Sequence, residues 1–283
     1  MWILYVLFYG LMKGGRDVIK KIALEKNTFI EILIAHTAIS LLMVVPTAGD
    51  AFEMDSRYFI YIAIKSFVIF LAWIFSFKAI KKLPISIVGL LDMSRVLFAT
   101  LLGVIVLGEV MKGAQYIGLA LVCAGLLLLK KFSSGPVDSA NHEDIRTVYV
   151  LMALASCILN ATSGLMDKIL MKDISSSQLQ FWYMLFIFIY YVIFAIVTRA
   201  HISMSVFRNG WIWLLSIMFV LADKALFIAN ADPASKVTMM TLIKQSCCIV
   251  TIIGGKLIFK EKNILKKLFC AVVIIAGIVI GIM

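Results

Sequence analysis

The sequence has no Gly-x-x-x-x-Gly-Lys-Ser/Thr run, so nothing in it marks a loop that would bind a nucleotide and draw on its hydrolysis. Histidine is scarce: of three, His142 and His201 stand isolated in polar connections, and no His/Asp/Glu spacing recommends a metal site or a catalytic cluster. That argues against a membrane-embedded enzyme, and no cofactor is expected. The five cysteines (Cys123, Cys157, Cys247, Cys248, Cys270) are odd in number and all fall in apolar runs, which excludes a disulfide framework. Charge is also sparse, at 15% of residues, against about 25% in soluble domains.

Apolar sequence fills the space. Hydrophobic residues make up 63% of the 283 positions, and the mean hydropathy is +1.03. The apolar runs recur along the chain, each near the twenty residues a bilayer requires. They predict spans at 2–22, 27–46, 58–78, 84–107, 113–129, 147–170, 177–198, 211–231, 234–258 and 265–282. The first run lacks a basic stretch ahead of it and carries charge in its second half, so it reads as a retained helix rather than a signal peptide. The expected fold class is an all-α integral membrane protein of ten helices.

The net charge of +11 does not call for nucleic acid. Fifteen Lys/Arg lie in the odd-numbered connections and four in the even-numbered ones, the asymmetry of a cytoplasmic face. Those fifteen include Lys20 and Lys21, counted as following the first helix.

The chain also repeats itself. Ala79-Ile-Lys-Lys-Leu-Pro84 leads through an apolar run to Leu107-Gly-Glu109, and Ala229-Asn-Ala-Asp-Pro233 leads likewise to Phe259-Lys-Glu261. The prolines are 233 − 84 = 149 apart and the glutamates 261 − 109 = 152. Asp17 and Asp167, each closing a Gly-x-x-Asp, are 150 apart. A polar, turn-rich segment at 132–146 divides the chain into five-helix halves, 1–131 and 147–283. Five is odd, so the second half enters the membrane inverted, and its basic connections shift by one helix as inversion requires.

The pairing of Ala79-Ile-x-x-Leu-Pro84-Ile-Ser86, Leu107-Gly-Glu109, Gln115-Tyr-Ile-Gly118 and Gly125-Leu-Leu-Leu-Leu129 with Ala229–Ser235, Glu261 and Gly277 resembles the drug/metabolite transporter superfamily, in its EamA-type ten-helix form. The resemblance implies two inverted five-helix repeats and movement of small metabolites, amino acids or drugs across the cell (plasma or inner) membrane. Lys260 stands where the pattern usually has a small residue, and Lys244, Cys247 and Cys248 interrupt a normally plain helix, a departure from a generic drug exporter.

Charge at the centre of a membrane helix costs roughly 2.5–3.5 kcal/mol on insertion scales and therefore faces a partner or a cavity. Arg95 and Lys244 lie mid-helix, 149 apart, and read as equivalent positions on opposite walls of one cavity that attracts an anion, with Asp92 three residues before Arg95 as an internal partner. Asp223 and Lys224 are adjacent in the eighth span, so one turns to the cavity and the other to a neighbouring helix. Trp73 and Tyr183 are candidate cavity aromatics. Asp17 and His36 are candidate coupling residues, with an Arg16–Asp17 cluster near the interface as the alternative for Asp17 and a hydrogen bond to a neighbour for His36. Lys65, Lys168 and Lys256 read as snorkelling side chains. Glu109 and Glu261 read as turn locks paired with Lys112 and with Lys260 or Lys262, and Gly14-Gly15 and Gly254-Gly255 as hinges or close-packing positions.

The expected function is secondary transport of a small anionic or zwitterionic metabolite, such as an amino acid or organic acid. Alternatives are translocation of a phosphorylated lipid-linked headgroup, or transport of a quaternary, choline-like amine held by aromatics. The expected partners are a small-molecule substrate, the lipid bilayer, and a proton or counter-substrate; assembly is as a monomer or homodimer. The charge count places both termini outside, whereas relatives often have them in the cytoplasm; in either case they share one side. Single cysteines placed at 138 and 283 in a cysteine-free background will label from opposite faces of sealed vesicles. Labelling of both from one face would contradict five helices per half.

Overall fold

The computed structural model describes residues 2–107, 113–133, 140–235, 240, 243–261 and 263–282. The described residues form helices and connections, without strands. In order, these are α1 (Trp2–Lys26), α2 (Phe29–Val44), α3 (Arg57–Lys82), α4 (Ile85–Asp92), α5 (Arg95–Leu107), α6 (Gly113–Ser133), α7 (Ala140–Leu170), α8 (Ser176–Val197), α9 (Gly210–Ala231), α10 (Ser246–Leu257) and α11 (Ile264–Ile282). Four stretches are long and apolar enough by themselves to cross a membrane: Arg57–Lys82, Thr147–Leu170, Ser176–Val197 and Gly210–Ala231. Phe29–Val44, Tyr116–Gly125 and Ser246–Leu257 are apolar but shorter, and α1 carries charge along one face.

Two of the ten expected spans are broken. The fourth separates into α4 and α5 at Met93–Ser94, where the hydrogen bonds tighten to i→i+3: Met93 N–H donates to Leu90 at 3.1 Å and Ser94 N–H to Leu91 at 3.0 Å. The ninth has its turn at Gln245, with Cys248 N–H donating to Gln245 at 2.9 Å. Tightened turns inside a helix are typical of hinges. Helix α7 begins at Ala140, inside the stretch expected to be linker, and α6 continues to Ser133.

Local chemistry explains the helix starts. Thr28 and Ser175 each close a capping box, with Glu31 and Gln178, and Asn209 caps α9. The two boxes are 175 − 28 = 147 apart, a repeat that the apolar pattern does not reveal. Their contacts are reciprocal. Ser175 Oγ donates to Asp50, in the connection after α2, at 2.7 Å, whereas Ser203 N–H, in the connection after α8, donates to Glu31 at 3.0 Å.

The helix packing shows the same reciprocity. Helix α1 packs on α9 as α7 packs on α3; α2 packs on α9 as α8 packs on α3; α1 packs on α10 as α7 packs on α4 and α5. The pairs α2–α8, α4–α10 and α6–α11 are their own counterparts. This is the pattern of inverted repeats about a two-fold axis in the membrane plane.

The glycine pairs are packing positions. A Cβ on Gly14 would lie 2.6 Å from the Cys247 carbonyl, and one on Gly254 2.6 Å from Val18 Cγ2, so α1 and α10 approach through glycine. Gly164, the counterpart of Gly14, has nothing within 4 Å of that position. All five cysteines are free.

Glu261 corrects its expected role. It follows α10 but accepts from Ile85 N–H at 2.6 Å and from the Ser86 hydroxyl, at the N-terminus of α4 in the other half. A carboxylate there is favoured by the helix dipole, where at its own helix's C-terminus it would be opposed. Among the described residues its cation is Lys267, at 2.8 Å, rather than Lys260, and Lys267 also donates to Ser86 at 2.6 Å. Beside it, Lys21 Nζ donates to the Leu83 carbonyl at 2.6 Å. Lys168 does not snorkel: it donates to the Asn230 carbonyl at 2.8 Å and to Ser235 Oγ at 2.8 Å, below the second proline turn. Lys256 is exposed, as snorkelling requires. Glu109, Lys112 and Lys262 lie outside the described residues.

Two predictions follow from this packing. Gly14→Ala sets a methyl against backbone and will cost about 1–3 kcal/mol, whereas Gly164→Ala will be tolerated; thermal unfolding in detergent compares them. Burial alone would raise the Glu261 carboxyl, but Lys267, Ser86 and the Ile85 amide outweigh it and hold it below the ordinary glutamate range. The stabilisation it provides is therefore complete above that range and is lost as pH falls through the depressed value. Glu261→Ala will cost roughly 3–5 kcal/mol by stranding Lys267, and Glu261→Gln will flatten the acid limb of melting temperature against pH.

Candidate substrate cavity

A central cavity of about 140 Å³ opens among α1, α2, α3, α4, α5, α7, α8, α9 and the residues leading into α10. Its charge comes first from α1, where Lys13, Arg16, Asp17 and Lys20 fall at i, i+3, i+4 and i+7. That spacing lays all four along one helix face, and all four line the cavity. Opposite, α7 contributes Ser156, Asn160, Ser163 and Asp167, again a single face. The bundle is thus apolar toward lipid and polar inside.

The charges are laced together. Asp92 accepts from Lys13 Nζ at 2.6 Å and from Arg95 Nη2 at 2.8 Å. Asp17 takes Lys20 at 2.9 Å and Lys13 at 3.4 Å. Arg16 reaches across to Asp223 of α9 at 3.3 Å, and Lys65 of α3 meets Asp167 of α7 at 3.0 Å. Each pair answers the cost of taking an ion out of water. Lys244 differs. Among the described residues it has no carboxylate within ion-pair distance, and its Nζ lies 5.6 Å from the Tyr9 ring centroid. The Nε of Arg95 is buried and has no hydrogen-bond partner.

Aromatic rings form part of the wall, and the faces of Tyr9, Tyr183 and Phe219 are occupied by the protein's own cations. Arg16 lies 4.9 Å from the Phe219 centroid and 5.5 Å from that of Tyr9, and Lys65 sits 3.5 Å from that of Tyr183. Trp73 packs edge-on against Phe219 at 5.1 Å and tilted against His36 at 5.7 Å. His36 lines the cavity, with its Nδ1 2.9 Å from Ser216 Oγ.

The structure therefore brings Asp17, His36, Trp73, Asp92, Arg95, Tyr183, Asp223 and Lys244 to one cavity. Lys224 is not among the lining residues. Adjacent helical residues diverge by about 100°, and with Asp223 inward the Lys224 ammonium donates to Ser177 Oγ on α8 at 2.8 Å. Asp17 does not pair with Arg16, for the same geometric reason, and is buried with two lysines. Lys20 belongs to the cavity rather than to the cytoplasmic connection.

Arg95 and Lys244 are not equivalent relative to the helix breaks. Arg95 follows the turn at Met93–Ser94, whereas Lys244 precedes the one at Gln245. From Met93 to Gln245 the offset is 245 − 93 = 152, the glutamate spacing, so Lys244 stands where Asp92 stands in the first half. Their opposite charges make the cavity electrically asymmetric.

Sequence reasoning counted Lys13 and Arg16 among the charges inside spans without assigning them to the cavity, and it missed Lys20, Lys65 and Asp167 as cavity residues. The i, i+3, i+4, i+7 charge stripe marked the first two, and the repeated Gly-x-x-Asp marked Asp167. Lys65 was misread as snorkelling because its partner lies 102 positions away; its side chain is 2% exposed.

Comparison with known proteins places these features. The sequence model of the EamA-like transporter family matches residues 1–130. No curated protein matches the chain. A solved crystal structure aligns with 99% of this chain and 95% of its own length, at a TM-score of 0.70 and 14% identity, which is a likeness of fold. With an all-helical fold of paired halves and residues 1–130 matched by the EamA-like transporter family, which falls within the drug/metabolite transporter superfamily, the chain is similar to EamA-like multi-pass membrane transporters.

Proposed function

We propose that this transporter carries a small anionic or zwitterionic metabolite across the cell membrane by alternating access, without catalysing a reaction. The observation that carries the reading is Lys244, a cavity-lining cation with no acidic partner among the described residues, while the other lining cations are paired. A substrate carboxylate would complete it, with the free Nε of Arg95 as a second donor. An ammonium on the same substrate would meet Asp223 or Asp167, each of which has one cation partner.

A quaternary-amine substrate is less well supported. It would need open aromatic faces, and those of Tyr9, Tyr183 and Phe219 already carry Arg16, Lys65 or Lys244. For the transport step, the tightened turns at Met93–Ser94 and Gln245 are the natural hinges, because they interrupt α4–α5 and its counterpart beside the charged residues. Coupling to a proton or a counter-substrate is part of this reading, with Asp17 and His36 inside the cavity that changes exposure.

Lys244→Met keeps length and apolar packing but removes the charge. Binding of amino acids and organic acids, read by thermal shift and calorimetry on purified protein, will weaken about 10- to 100-fold, since a charge-assisted contact contributes about 1.5–3 kcal/mol. Thermal stability will hold or rise, because a costly unpaired cation has gone. Lost stability with unchanged anion affinity would make Lys244 a structural residue, and choline binding in the same screen would favour the amine reading.

A further inference from the structure

The cavity carries more positive than negative charge, and the ion pairs show where the surplus resides. Among the described residues, six cations line it (Lys13, Arg16, Lys20, Lys65, Arg95, Lys244) against four carboxylates (Asp17, Asp92, Asp167, Asp223). Arg16–Asp223 and Lys65–Asp167 are self-contained and neutral. The rest, apart from Lys244, form one alternating chain, Lys20–Asp17–Lys13–Asp92–Arg95, of three cations and two anions. Its excess charge is formally one, and Lys244 adds a second. Both ends of the chain, Lys20 and Arg95, line the cavity, and the Nε of Arg95, like that of Arg16, is buried without a partner.

Arg95 and Lys244 border the two helix breaks and act on each other electrostatically as like charges. In a low-dielectric interior such repulsion is poorly screened. A zwitterion leaves the excess of two untouched, and a monoanion removes half of it. A dianion removes all of it and gives Arg95 and Lys244 one shared counter-charge.

We infer that the preferred substrate is a compact dianion, two negative charges on one small molecule as in a dicarboxylate or a phosphomonoester, held between Arg95 and Lys244. The inference rests on the anionic reading of the same cavity. The volume of about 140 Å³ suits a solute of this size and lies below the range of pockets for drug-sized ligands.

The test compares ligands of matched shape and unequal charge on the full-length protein in nanodiscs, by calorimetry at neutral pH and fixed ionic strength. Succinate is set against its monoamide succinamate, glycerol 3-phosphate against glycerol, and alanine serves as the zwitterion. Succinate or glycerol 3-phosphate will bind at least 10-fold more tightly than succinamate and alanine, and whichever of the two dianions is tighter identifies a carboxylate or a phosphoryl substrate. In Lys244→Met the preference for the dianion over succinamate will shrink to about 2-fold or less; the variant loses an unpaired cation, and its melting temperature confirms that it is folded. Succinamate or alanine binding as tightly as both dianions would overturn the inference and leave the anionic or zwitterionic reading standing. Binding of choline with no response to any anion would overturn both. An unchanged dianion preference in folded Lys244→Met would remove Lys244 from the site and the inference with it.

Discussion

The cost of charge in a low-dielectric interior governs this structure. Ten charged side chains, six basic and four acidic, meet in one cavity among helices that are otherwise almost wholly apolar, and each would be expensive alone. Ion pairing makes the arrangement possible, and it also ties the helices together. Lys13 joins α1 to α4, Arg16 joins α1 to α9, and Lys65 joins α3 to α7. The bonds that offset desolvation thereby hold helices from both halves around one space.

Near-symmetry and its failure have different consequences. The reciprocal capping contacts of Asp50–Ser175 and Glu31–Ser203, and the lysines below the two proline turns, follow the two-fold relation and build a scaffold of matching halves. The cavity does not follow it. Asp92 is matched by Lys244, and the charge stripe of α1 is matched on α7 by serines, an asparagine and one aspartate. The frame is thus nearly symmetric while the lining is electrically asymmetric.

Glu261 shows how the halves constrain each other. Read along the chain, it terminates a helix unfavourably; in space it caps the first turn of α4 and neutralises Lys267. Cross-capping couples the connection after α10 to the helix whose break borders Arg95. The cap and the break at Met93–Ser94 thus lie at opposite ends of α4, and Glu261 is not among the residues that line the cavity.

Composition and the repeats near 150 residues determined the membrane class, the helix count and the inversion of the halves, because hydropathy and positive-charge bias are summed properties that need no partner. They also pointed to Arg95, Lys244, Asp17, Asp92, Asp223 and Trp73, since a polar group inside an apolar run must be accommodated somewhere. Tertiary structure alone decided which groups neutralise which. Lys65 and Asp167 are 102 positions apart, Arg16 and Asp223 207, and no periodicity links them. It decided that Lys224 points to Ser177 while its neighbour Asp223 faces inward, and that the ninth helix turns at Gln245, which shifts Lys244 into register with Asp92. The physical reason is the same in each case. Helical periodicity sets which face of its own helix a residue occupies, but whether a charge there is paired or left free depends on the packing of helices distant in sequence.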